Sequence, residues 1–189
     1  MNEKKRARYL SLITQTPSLT GGKQVLDVVL MGFNARLKLL ESPSKENRRA
    51  ALDALTRLGL GDMWDRDFGT LSQGQKQLVI LARCLMQDAP VMLMDEPDSA
   101  LDFLNRHMVL GQIRDILHTE KRAGLITLHD PNFAMAYCDR ICLLRDGVLQ
   151  ADINMRSAGK EEIRESLAKI YGEIELVEYA GGYLMGKRR

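Results

Sequence analysis

Two carboxylates stand side by side, Asp95-Glu96, directly after the apolar run Val91-Met92-Leu93-Met94 and directly before Pro97. An apolar strand ending in such a pair delivers both acids to the carboxyl edge of an α/β sheet, where ligands sit. One carboxylate can hold Mg²⁺ through water, and its neighbour can orient and deprotonate an attacking water. Taken alone, the same residues also read as an acidic turn before a proline. Upstream, Ser72-Gln73-Gly74-Gln75 follow Leu71. Ser72 with Gln75 three residues on spells a capping box. A helix start with a glycine beside it is also a phosphate site, and capping gives no reason for the backbone entropy that Gly74 costs. His129 follows a second apolar run, residues 125–128. It can hydrogen-bond a terminal phosphate, or it is incidental to Asp130-Pro131 starting a helix. Gln15 ends an N-terminal apolar stretch and by itself says nothing.

These groups need elements to position them. Residues 8–15 read as a strand through Tyr9, Leu10, Leu12 and Ile13, broken by Pro17 and Gly21-Gly22. Val25, Val28 and Val29 predict a helix over 24–40. After Pro43, Ser44 caps a second helix with Glu46 in its first turn, and its stripe of Ala51, Leu55 and Leu58 stops at Gly59. Residues 59–69 form a loop with Trp64 as its large anchor. Ser72 starts a third helix carrying Leu78, Leu81, Ala82 and Leu85. Residues 91–94 then form a strand buried on both faces. A helix begins near Asp102 (Val109, Ile113, Ile116, Leu117), and Gly124 opens another buried strand.

Further on, 141–144 and 148–149 pair across the Asp146-Gly147 turn. A helix bearing Ile163, Leu167 and Ile170 closes at Gly172, and a strand spans 173–179. Two buried strands, each followed by a helix, predict an α/β layer with a parallel sheet. Residues 25–86 offer no strand. The expected organisation is one domain over 1–189, a helical subdomain over 24–88 inserted into it, and a tail over 150–189.

Bulk composition narrows the function classes. A 45% hydrophobic chain of 189 residues can bury a sizeable core. Lys and Arg number 27 against 25 Asp and Glu, a net charge of +2, which makes no case for a nucleic-acid stripe or a membrane-binding face. The three cysteines, Cys84, Cys138 and Cys142, form no CxxC pair and fit a reduced cytosolic protein. No window approaches the roughly 20 apolar residues of a membrane span.

The order of the chemical groups adds what none of them carries singly. Gln15, then Leu71-Ser72-Gln73-Gly74-Gln75, then Asp95-Glu96-Pro97, then Ser99-Ala100-Leu101-Asp102, then His129 resembles the Q-loop, signature, Walker B, D-loop and H-loop of the ABC ATPases. The resemblance covers nearly the whole chain, helical insertion included, with Gln73 where a glycine is commoner. It implies that ATP and Mg²⁺ are bound. Asp95 would help hold Mg²⁺, Glu96 would be the general base, and His129 would contact the γ-phosphate. Gln15 would sense Mg²⁺ and the lytic water. Ser72 and Gly74, with Gln75, would meet the ATP held by an opposite subunit, and Asp102 would cross to the other site.

Residues 28–32, Leu58-Gly59-Leu60, Asp65-Arg66 and Gln77-Leu78-Val79 look like the importer ATPases for iron–siderophore, haem and cobalamin chelates, with zinc and manganese importers as close competitors. That architecture implies a second ATPase subunit, membrane permeases, an external binding protein, no nucleic acid, and a cytoplasmic location under the membrane. The alternatives are a non-transport ABC protein, a non-catalytic half that donates its signature, and a truncated gene product.

The phosphate-binding fingerprint GxxxxGK[ST] is not spelled in these 189 residues. Gly22-Lys23 has Pro17 at the required first glycine, and Gly159-Lys160 has Asn154. Residues 181–187 fit GxxxxGK, but Arg188 stands at the Ser/Thr position and Arg189 leaves no helix. The expectation is a partial P-loop NTPase fold with its P-loop strand missing, exposed neighbouring strands, and negligible ATPase activity for this polypeptide alone.

Overall fold

A computed structural model describes residues 2–14, 22–38, 41–99 and 101–187. The chain divides into two compact units, Met1–Thr127 and Leu128–Arg189.

In the first unit a short helix α1 (Glu3–Arg6) leads into β1 (Leu10–Ile13), the core of the strand expected over 8–15. β1 pairs in parallel with β2 (Val91–Asp95), which pairs in parallel with β3 (Ala123–Thr127). The register matches Ile13 to Met94 and Asp95 to Thr127, so the strands' carboxyl ends share one edge of the sheet. Met92 and Met94 are buried, while Val91 and Leu93 on the other face are half-buried, so the strand expected to be buried on both faces is fully buried on one. β3 departs from expectation. Leu125 is 64% exposed, and β3 is an edge strand among the described residues.

Between β1 and β2 the described elements are helices joined by turns, with an isolated bridge between Gln24 and Asp67. Val25–Leu30 forms α2, and its buried valines pack inward. The helix predicted to residue 40 tightens instead into a 3₁₀ turn over Met31–Ala35. Gly32 gives the reason: a Cβ there would sit 2.2 Å from the carbonyl oxygen of Arg83, so this segment lies directly on the next layer. α3 (Lys45–Arg57) is capped by Ser44 in a reciprocal box with Asn47. Residues 59–69 contain two 3₁₀ turns, and Trp64 is not their anchor. It is 40% exposed, while Leu60 and Phe68 are buried in its place.

α4 (Gln73–Gln87) is the spine of the unit, packing on α2, α3 and β1. The Gln87 side-chain amide closes the β1 end, donating to the Ala7 and Leu10 carbonyls at 2.6 and 2.7 Å. α5 (Phe103–Thr119) crosses over between β2 and β3, and Gly124 admits its Leu117. An ion-pair chain ties the layers at the opposite sheet edge. Arg122 meets Asp88 and Glu120, each at 2.8 Å, Arg57 reaches Glu120 at 3.1 Å, and Arg36 pairs with Asp88.

The second unit contains α6 (Pro131–Tyr137), β4 (Arg140–Arg145), β5 (Val148–Asn154), α7 (Lys160–Tyr171), β6 (Ile174–Tyr179) and β7 (Gly182–Lys187). β4 and β5 turn at Asp146-Gly147, both with positive φ, as the sequence predicts. Ile141, Leu143, Ile153, Ile163, Leu167, Ile174 and Leu176 form its core. β7 was not expected. It pairs antiparallel with β6, and Met185 exchanges backbone hydrogen bonds with the Asn132 side chain. The GxxxxGK run therefore lies in a hairpin, not in a strand–loop–helix.

Candidate functional site

The acidic pair sits where its sequence context places it. Asp95 is the last residue of β2, exposed at the carboxyl edge of the sheet, and Glu96 follows half-buried. Glu96 has φ of 44°, a left-handed conformation that a side chain bearing a Cβ pays for in strain. Such strain gathers at functional turns that the surroundings hold in place. Here the holder is Thr127, across the sheet on β3. Its hydroxyl accepts the Glu96 backbone N–H at 2.9 Å and donates to Asp95 Oδ1 at 2.9 Å. One side chain thus fixes both the strained turn and the neighbouring carboxylate.

Thr127 is absent from the sequence reading. The signal was its place at a strand end level with Asp95, legible only once the register is known.

The Ser72 turn is a capping box in full. The Ser72 hydroxyl accepts from Gln75 N–H at 3.3 Å, and Gln75 Oε1 accepts from Ser72 N–H at 3.0 Å. Capping uses the lone pair of Ser72 and leaves its hydroxyl proton to donate. The backbone N–H groups of Gln73 and Gly74 lie in the first turn of a 15-residue helix, where no intrahelical acceptor exists. This end is therefore suited to an anion. Gly74 is buried, and a Cβ on it would meet the Asn105 side chain at 3.2–3.6 Å. That contact explains the glycine that capping did not.

Asp102 is the N-cap of α5, accepting at Oδ1 from Asn105 N–H (2.9 Å) and at Oδ2 from Asn105 Nδ2 (2.8 Å). Just before it, Asp98 is buried, 3.9 Å from Arg106, which also donates to the Leu101 carbonyl at 3.0 Å. His129 is exposed and belongs to the second unit, two residues past the end of β3. Beside it Asp130 caps α6 through Asn132 N–H at 2.8 Å, with Pro131 at the first helical position. Gln15 and Ala100 lie outside the described residues.

Among the described residues no group of three or more His, Cys, Asp or Glu could hold a metal ion. A Mg²⁺ bound chiefly by nucleotide phosphates and water needs only one or two carboxylates, and the exposed Asp95 carboxylate fits that demand. Two surface clefts, one lined by Arg57, Leu58, Leu85 and Gln112 and the other by Asp27, Leu30, Met31 and Arg48, contain none of these groups. No helix among the described residues is long and apolar enough to cross a membrane.

Comparison with known proteins agrees with the parallel α/β fold. Over 180 residues the chain is 34% identical to the iron chelatin transport ATP-binding protein of Helicobacter pylori, covering 93% of this chain and 71% of that one. It is 35% identical over 179 residues to a phosphonates import ATP-binding protein of Escherichia coli, covering 93% and 67%. An inward-facing ABC transporter of metal-chelate type superposes with a TM-score of 0.81 at 27% identity, over 94% of this chain and 70% of that one. The profile of the ABC transporter family, whose members bind ATP, generally with Mg²⁺, matches residues 1–99. With an acidic strand end held in a parallel sheet and relatives matched along nearly all its length, the chain belongs to the ABC transporter family as an ATP-binding cassette.

Proposed function

We propose that the chain is an ATP-binding subunit of an importer, coupling ATP binding and hydrolysis to uptake of a metal chelate of the iron–siderophore, haem or cobalamin kind. The observation that carries this reading is the Thr127 bridge, which fixes the Asp95 carboxylate and the turn bearing Glu96 together at the sheet edge. Asp95 there helps hold Mg²⁺, which offsets phosphate charge when bound with ATP. Glu96 orients the lytic water and takes its proton. Ser72 and Gly74 offer an O–H and backbone N–H groups to the γ-phosphate of ATP in an opposing subunit. Asp102 crosses toward that second site, and His129 and Gln15 attend the γ-phosphate and water. The importer context is supported by the iron chelatin and phosphonate relatives, and the chelate by the first of them.

A cassette used this way works on the inner face of a membrane beneath permease subunits, in a pair with a second ATPase subunit, fed by an external binding protein. No GxxxxGK[ST] run occurs in these residues, so the β- and γ-phosphates are cradled by residues outside them. A second reading follows from the same fact: the chain contributes only its signature turn to ATP held by a partner. Two variants separate the readings in a complex assembled with a P-loop-bearing ATPase subunit and its permeases. If the chain hydrolyses ATP, Glu96→Gln lowers phosphate release by about a hundredfold or more. If it only donates, Glu96→Gln is silent and Ser72→Arg alone abolishes turnover. Silence of both variants overturns both readings.

A further inference from the structure

Glu96 and Asp102 stand six positions apart by their numbers, on a stretch whose described residues belong to no helix or strand. The sheet ladder stops at Asp95 and α5 starts at Phe103. Side chains must therefore fix what regular hydrogen bonding does not. Thr127 ties the Glu96 N–H to β3, and Asn105 ties the Asp102 carboxylate to α5. Between them, the Glu96 carbonyl accepts from Ser99 N–H at 3.2 Å and the Asp98 carbonyl from Leu101 N–H at 3.1 Å. These are bonds within the turn, and they do not anchor it to the rest of the fold.

Arg106 supplies an anchor. It lies in the first turn of α5, and its Nε–H donates to the Leu101 carbonyl at 3.0 Å. The same nitrogen is 3.9 Å from Asp98 Oδ2, and the Asp98 side chain is only 7% exposed against 32% for Arg106. A carboxylate that deeply buried needs a cation beside it. The ion pair draws the guanidinium inward, where its rigid fork aims an N–H at the Leu101 carbonyl. A hydrogen bond from a charged donor is also stronger than a neutral one.

We propose that Arg106, seated by Asp98, is a positioning residue: it braces the turn between Glu96 and Asp102 against α5, so that these two carboxylates keep one spacing. The functional meaning rests on the reading above, in which Glu96 takes the proton of the lytic water and Asp102 faces the opposing subunit. Arg106 acts through the turn, not on the nucleotide. A displacement of about 1 Å in a reacting group can cost much of the rate, so the brace serves more than stability.

One arm of the test needs no nucleotide, so failure of the brace is distinguishable from failure of the functional reading. In the isolated chain, Arg106→Met is expected to speed amide hydrogen exchange at Ser99 and Leu101 by about tenfold, as for the loss of one hydrogen bond. It should also lower the thermal midpoint, because Asp98 stays buried without the Arg106 charge. Adding Asp98→Asn removes that carboxylate's charge. The double variant is expected to recover most of the midpoint yet keep the fast exchange, since the Leu101 carbonyl still lacks the Arg106 donor. It also stands in for Arg106→Met if the single variant does not fold. In the complex assembled with a P-loop-bearing ATPase subunit and permeases, the double variant is expected to lower kcat about tenfold, with KM for ATP within about twofold. Wild-type exchange at Ser99 and Leu101 in the folded double variant overturns the brace, whatever the complex does. Fast exchange with wild-type kcat assigns Arg106 to stability alone and overturns its part in the reaction. An inactive wild-type complex counts against the functional reading, and exchange then decides the brace.

Discussion

At the scale of single residues, the acidic pair depends on a hydroxyl outside the motif. Thr127 serves as acceptor for Glu96 N–H and donor to Asp95 in the same place, so its methyl is incidental and its oxygen is not. Thr127→Val keeps the strand's β-branched shape while removing both bonds. The expected cost is about 1 kcal/mol in urea unfolding, modest because water can reach these groups. Thr127→Ser is expected to retain wild-type stability within a few tenths of that. A loss in Thr127→Ser with none in Thr127→Val would assign the effect to the methyl group instead. Asp95, Glu96 and the Ser72 box were legible in the sequence because each is a local pattern: a strand end, and a residue three positions before its partner. Thr127 was not, since it owes its role to a neighbour more than 25 positions away, across a strand register.

Among the elements, long periodic helices and the apolar central strand were read correctly, and segments shaped by tertiary contact were not. α4 begins at its Ser72 cap and α7 closes at Gly172, as the sequence predicts. The helix expected over 24–40 stops at Leu30 because Gly32 must close on the α4 backbone, a demand that no propensity encodes. Trp64 misled by its size. β7 was hidden because glycines at 182 and 186 dilute its alternation, while Tyr183 and Met185 face the core of the second unit. The close approach at Gly32 gives an element-scale prediction. Gly32→Ala is expected to cost about 3 kcal/mol, since the obstacle is the backbone oxygen of Arg83 and not a side chain that can turn away. A thermal scan checks it, and a shift within error of zero would show that α2 can slide on α4.

Over the whole molecule, each of the two units carries one shielded thiol, and the pair predicts how the fold responds to base. Burial pushes the Cys84 thiol up to about 11, against a small opposing pull from Arg83. Burial, with the Asp139 carboxylate, pushes Cys138 to about 11 as well. A thiol whose folded pKa is raised ionises first in the unfolded chain. Stability from these groups is therefore full below about pH 9 and falls as pH rises toward about 11. Urea midpoints across that window should decline more steeply for the wild type than for a Cys84→Ala, Cys138→Ala double variant. Parallel curves would refute the shielding. The sheet's carboxyl edge in the first unit, by contrast, holds its acids within reach of solvent. Its strands end together, its acids are exposed or half-buried, and the outer edge of β3 is bare among the described residues.

The most direct measurement is steady-state phosphate release from Mg-ATP, by the 189-residue polypeptide alone and after assembly with a P-loop-bearing ATPase subunit and permeases. Turnover is expected only in the assembly, and there it should fall with Glu96→Gln. Release by the polypeptide alone that Glu96→Gln abolishes, or turnover in the assembly that ignores Glu96, would contradict the account.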